Sequence, residues 1–218
     1  RRPLIIVGAL LVAVSVALYS IITAEAALFG ARLLGGVGEA AFFVGAGTMV
    51  TDLAPPARRG EAISYWSVAV YGGLALGPAL GEFVLDGSHF NRVWMVATGL
   101  SLTSALIGLF THETAQLVGT GEPAPLINRT AVGPGIIMFL GMIGLAGFAA
   151  FVPLYVSDIG MKDSGMVFLL YGLTILLLRI FGAKIPDRIG TLKAGTIATS
   201  ASAAGLVIMA VTFNEVVR

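Results

Sequence analysis

Seven stretches of mainly apolar residues, roughly 4–23, 26–51, 62–85, 93–111, 134–157, 165–185 and 194–213, recur along these 218 residues. Each is long enough to cross the hydrocarbon core of a bilayer, which takes about 20 residues as a helix. Hydrocarbon offers the backbone no hydrogen-bond partners, so a spanning segment must pair its own N–H and C=O groups. The chain therefore reads as an all-α integral membrane protein, a polytopic helical bundle with seven transmembrane helices. Composition agrees, with 57% hydrophobic and 11% charged residues, where soluble domains carry roughly a quarter charged. There is no cysteine, which excludes disulfides and thiolate metal sites. The net charge is +1 and basic residues lie singly or in pairs, which gives no nucleic-acid footprint. Position 1 is Arg rather than Met, so the chain reads as a fragment whose beginning lies elsewhere.

Charge sets the expected orientation. The loops that open span one and join two to three, four to five and six to seven hold Arg1, Arg2, Arg58, Arg59, Arg129, Lys184, Arg188 and Lys193. The opposite side holds Arg92, Lys162 and Arg218. The positive-inside rule makes the first side cytoplasmic and predicts a multi-pass protein of the cell (inner) membrane. By the same orientation the acceptor pattern Asn128-Arg129-Thr130 falls on the cytoplasmic side and is discounted. The longest loop, 112–133, carries Gly119, Gly121, Pro123 and Pro125, which is linker chemistry. It divides the chain into 1–111 with four spans and 134–218 with three. His89 and His112 have no partner at metal-ligand spacing, and no metal or cofactor site is expected.

Span three contains Gly73-x3-Gly77-Pro78-x2-Gly81-Glu82. Small residues at i, i+4 and i+8 make one smooth helix face, which in a membrane suits close packing of a second helix. Pro78 deprives the Leu74 carbonyl of its helical partner and favours a kink. In span two Arg32 is followed by Gly36, Gly38 and Ala40. The next loop reads Asp52-Leu-Ala-Pro-Pro-Ala-Arg58-Arg59-Gly60-Glu61, and the loop after span six reads Pro186-Asp187-Arg188-Ile-Gly190.

In this order and spacing the chain resembles the major facilitator superfamily of secondary transporters, and the resemblance runs from the third to the ninth of twelve helices. It implies a two-bundle fold, with 1–111 as the last four helices of the N-terminal bundle, 112–133 as a cytoplasmic linker and 134–218 as the first three helices of the C-terminal bundle. The glycine-proline run is similar to the fifth-helix motif of family members of antiporter and exporter type. Gly73, Gly77, Pro78 and Gly81 match, while Ser64 and Glu82 replace its outer glycines. In the last loop Asp187, Arg188 and Gly190 match the family's loop motif, with Ala183 for its first glycine and Thr191-Leu192 for its basic pair. The resemblance implies a cytoplasmic gate built from Asp52, Arg58, Arg59, Asp187, Arg188 and Gly190, with Arg1 and Arg2 close by.

Charges within the spans require a reason, since one at mid-membrane costs at least about 2.5 kcal/mol. Arg32 and Glu39 are seven residues apart and share a helix face, about 10 Å apart along the axis. They can line one water-filled cavity, where Glu39 takes up a proton as its surroundings dry and releases it near Arg32 or water. A structural polar network tying span two to its neighbours is the alternative. Glu82, about 30 Å from the cytoplasmic start of span three, is a further coupling candidate or a hydrated boundary residue. Arg179 can extend its head towards cytoplasmic water. Phe148, Phe151 and Tyr155 fall on one face of span five, and Tyr65 and Tyr71 are aromatic positions on span three. Both sets are candidates for a substrate cavity or for helix packing.

The function expected is secondary active transport by alternating access: proton-coupled efflux of small drug-like or sugar-like molecules by a protein monomeric at full length. An uptake symporter, a membrane receptor or a scaffold are the alternatives. No nucleophile–base constellation points to an enzyme.

Overall fold

The computed structural model describes residues 1–85, 89–114, 129–161, 164–182 and 189–216. All the regular structure among them is helical. The helices are α1 (Arg2–Leu18), α2 (Glu25–Leu53), α3 (Arg59–Leu85), α4 (Phe90–Leu109), α5 (Arg129–Asp158), α6 (Gly165–Gly182) and α7 (Thr191–Val216). Six are long and apolar enough to cross a membrane, and α1 is a shorter apolar helix of 17 residues. The expectation that the first span reaches residue 23 is corrected. The Tyr19 and Ser20 N–H groups donate to Val16 and Ala17 carbonyls three residues back, and Ser20 Oγ donates to Ala17 O at 2.6 Å. That tightened last turn closes the helix early. At the other end of the loop expected over 112–133, helix already begins at Arg129.

The chain forms two compact units, Arg1–Val118 and Gly119–Arg218. In the first, α1 lies against both α2 and α4, burying Ile5, Ala9 and Ala13. The antiparallel α1–α2 pair is held by glycine. A Cβ on Gly8 would lie 2.6 Å from Phe42 N and 2.7 Å from Gly38 O, and one on Gly38 2.7 Å from Gly8 O. A Cβ on Gly35 would meet Ser15 Oγ at 2.6 Å, and one on Gly45 would meet Leu4 Cβ at 3.0 Å. The backbones approach as only residues without side chains allow. Buried Ala31, Gly35, Gly38, Gly45 and Met49 fall on one stripe of α2. Successive prolines stop α2: Ala54, before Pro55, and Pro55, before Pro56, are both extended, as sterics before proline require. A short 3₁₀ turn, Pro56–Arg58, then leads into α3.

In the second unit Val152 and Val156 of α5 bury Phe168 of α6 between them, with Phe148 and Val167 alongside. Helix α5 ends in a Schellman motif, Met161 N–H donating to Val156 O and Gly160 N–H to Ser157 O. This places Gly160 at φ +76°, a left-handed position suited to glycine. Large apolar side chains such as Phe83, Phe110 and Phe181 are exposed, as expected of helices whose solvent is hydrocarbon.

Candidate transport site

Three clusters of candidate residues take shape within the units. At one end of the first unit, Asp52 at the close of α2 accepts from Arg1 Nε at 3.1 Å and from Thr114 Oγ1 at 3.1 Å. Arg2 Nη2 donates to Leu109 O at 2.6 Å, and its backbone N–H donates to Glu113 Oε2 at 3.1 Å. These bonds tie the start of α1 to the ends of α2 and α4. Arg58 and Arg59 are exposed and outside this hydrogen-bonded group, while Asp187 and Arg188 lie outside the described residues. Gly190 precedes α7 at φ +87° and its carbonyl accepts from Ala194 N–H, so its visible role is a left-handed entry turn that a side chain would strain.

Arg32 and Glu39 are both exposed on α2, away from the glycine stripe, and among the described residues neither enters an ion pair. The Arg32 guanidinium lies over the Tyr19 ring, 5.4 Å from its centroid, within cation–π range. Tyr19 also meets Trp94 of α4 edge-on at 5.3 Å. Neither Tyr19 nor Trp94 is singled out by the sequence, although an aromatic residue at a span end is a recognisable signal. Trp66 of α3 packs edge-on against Phe43 of α2 at 4.5 Å, and a Cβ on Gly47 would lie 3.4 Å from it.

The motif of α3 is divided. Pro78 and Glu82 sit half-buried on the face that also buries Ser67 and Ala75, with Tyr71 half-buried beside them. Gly73 and Gly77 are exposed, and a Cβ on Gly73, Gly77 or Gly81 would meet nothing within 4 Å. The seam that holds α2 thus runs through Gly35, Gly38 and Gly45. Tyr65 is 69% exposed and donates to Glu61 Oε1 at 3.4 Å, one turn back on its own helix.

In the second unit a cavity of about 990 Å³ opens between α5 and α7, in the size range of small-molecule sites. Phe148, Phe151 and Tyr155 line it from α5, Leu206 and Met209 from α7. Its charged lining residue is Asp158, which sequence reasoning passed over because it closes the span rather than interrupting it. Phe148 also packs edge-on against Phe168 at 5.9 Å and tilted against Tyr171 at 5.0 Å. It serves both as packing and as lining. Among the described residues no group of three or more His, Asp or Glu is placed to hold a metal ion.

A sequence model of the Major Facilitator Superfamily matches residues 1–217. The chain belongs to that superfamily. It is 30% identical over 197 residues to an uncharacterised MFS-type transporter of Salmonella typhimurium, covering 85% of this chain and 48% of the relative. It is 26% identical to multidrug resistance protein 1 of Bacillus subtilis and 24% identical to the quinolone resistance protein NorA of Staphylococcus aureus. Each of those alignments covers 166 residues, 72% of this chain and 42% of the relative. The chain thus spans about half the length of the curated relatives it matches. No solved structure matches the chain significantly. The superfamily is one of membrane transporters, not enzymes, and the polytopic helical bundle is the architecture observed here.

Proposed function

We propose that this chain is part of a proton-coupled exporter of small amphiphilic molecules, working by alternating access. The observation that carries the reading is the cavity between α5 and α7, apolar and aromatic along its length and bordered by the Asp158 carboxylate. Such a lining favours solutes with a greasy body, and the carboxylate favours a positive end. The names of the relatives from Bacillus and Staphylococcus support export of drug-like solutes. Arg32 and Glu39, exposed on one face of a membrane helix, are the coupling pair in this reading. Glu39 exchanges protons with the aqueous path, and Arg32 sets how readily it does so. Glu82, half-buried on the packed face of α3, is a further coupling group. The Asp52 cluster lies at the cytoplasmic end, where bonds near the surface are weak enough to break during each cycle.

The test is transport by the full-length protein in proteoliposomes. An imposed pH gradient should drive a lipophilic fluorescent cation against the direction of proton flow, and Glu39→Gln should abolish the coupling. Solute moving in the same direction as protons would establish a symporter instead, and no gradient-driven movement would remove the proposal. Orientation is read separately from single cysteines in this cysteine-free chain. Thr23→Cys, in the exposed turn between α1 and α2, should label from outside, and Ala57→Cys only from inside.

A further inference from the structure

The contact between Arg32 and Tyr19 is built rather than incidental. Ser15, 1% exposed, donates from Oγ to Ala31 O across the α1–α2 seam at 2.7 Å. Its single hydroxyl proton is committed there, so the 3.3 Å contact between Ser15 Oγ and Tyr19 Oη is completed by the tyrosine proton. The relay runs from Tyr19 to Ser15 to the carbonyl adjoining Arg32. Gly35 leaves the space for it, since a Cβ there would sit 2.6 Å from Ser15 Oγ. Trp94 braces the ring from α4. The ring is thereby fixed at its hydroxyl and its edge, and one face is presented to the guanidinium.

Tyr19 caps α1 level with the start of α2, but its side chain reaches back along the seam: its Oη contacts Ser15 Oγ, and a Cβ on Gly35 would lie 4.0 Å from that hydroxyl. The ring under the guanidinium is therefore held at the level where Ser15 meets Ala31. We infer that Tyr19 is a positioning residue: its ring, set by Ser15 and Trp94, holds the Arg32 head at that level of the α1–α2 seam. This rests on the proposed role of Arg32 in coupling, but the contact itself is testable without transport.

The experiment is a double-mutant cycle on the full-length protein with Tyr19→Leu, Arg32→Leu and both together, plus Tyr19→Phe. In detergent, each single leucine variant should lower the melting temperature by about 2 °C. The double variant should fall no further than the lower single, because both remove one contact. Tyr19→Phe keeps the ring and should recover most of the loss. Additive shifts, or no shift in either single, would overturn the inference whatever the transport result. In proteoliposomes Tyr19→Leu should reduce the maximal pH-driven rate roughly fivefold with KM unchanged, and should have no effect when Arg32 is already Leu. A loss that persists in the Arg32→Leu background would assign Tyr19 a role of its own. If the wild type shows no gradient-driven transport, the exporter proposal fails while the melting cycle still decides the contact.

Discussion

Two glycine-bearing helices in the first unit meet opposite fates. On α2, Gly35, Gly38 and Gly45 lie against α1 so closely that an added Cβ would press on the Ser15 hydroxyl, on backbone atoms or on the Leu4 Cβ, respectively. On α3, Gly73, Gly77 and Gly81 have open space where a Cβ would go. Both stripes follow helical spacing, yet the one read from sequence as a packing face is that of α3. A stripe of small residues permits close approach but does not by itself attract a partner. What separates them is the facing helix. Gly8 of α1 reciprocates Gly38, and Ser15 of α1 bonds across to Ala31 O, whereas no described residue reciprocates on the outer side of α3.

The sharpest way to break this contrast is Gly38→Leu. Its side chain would be driven into Gly8 O and Val12 N, and backbone cannot move aside without parting α1 from α2. We expect a loss of about 3 kcal/mol or more, read as failure to accumulate in the membrane or a collapsed melting transition. A near-normal melt would show the seam to be loose. Next is Gly35→Ala, whose Cβ meets a side-chain oxygen rather than backbone. It should cost about 1–3 kcal/mol, and Ser15→Ala in the same chain should recover part of the loss because the conflicting oxygen is gone. Absence of recovery would place the strain elsewhere. A smaller effect is expected from Asp52→Asn. Its partners Arg1 and Thr114 are solvent-accessible, and such pairs contribute little to stability. The melting temperature should barely move, and a large fall would make the cluster a structural lock rather than a releasable tie. The smallest effect is expected from Gly77→Ala, which should leave stability unchanged or raise it by up to about 1 kcal/mol through helix propensity. A fall like that of Gly38→Leu would mean that the α3 stripe is a folding seam in the full-length protein.

Much of the fold was legible because the bilayer simplifies the problem. Hydropathy located the seven α-helices among the described residues, and the errors were at ends. There, a local device such as the 3₁₀ closure at Tyr19 and Ser20 overrides the apolar pattern. The candidate site was legible in part. Phe148, Phe151 and Tyr155 do share a cavity, since residues three and four apart on a helix must share a face. Tyr65 is aromatic too, but it stands six residues from Tyr71, off that residue's face, and is bonded along its own helix to Glu61. The Arg32 contact with Tyr19 was not legible, because it joins residues on two helices whose register is set by glycines at the seam.

The sequence alone determined that this chain is a bundle of membrane helices of the Major Facilitator Superfamily, with its charges concentrated at helix ends and at a few internal positions. Transfer of side chains out of water is a property of each segment by itself, so it can be read one span at a time. Only the tertiary structure decided which glycines close a seam, that Arg32 is held by Tyr19, and that Asp158 borders the cavity. Each of these depends on what another helix presents at the same height. That register is fixed by steric fit between surfaces, which no single segment contains.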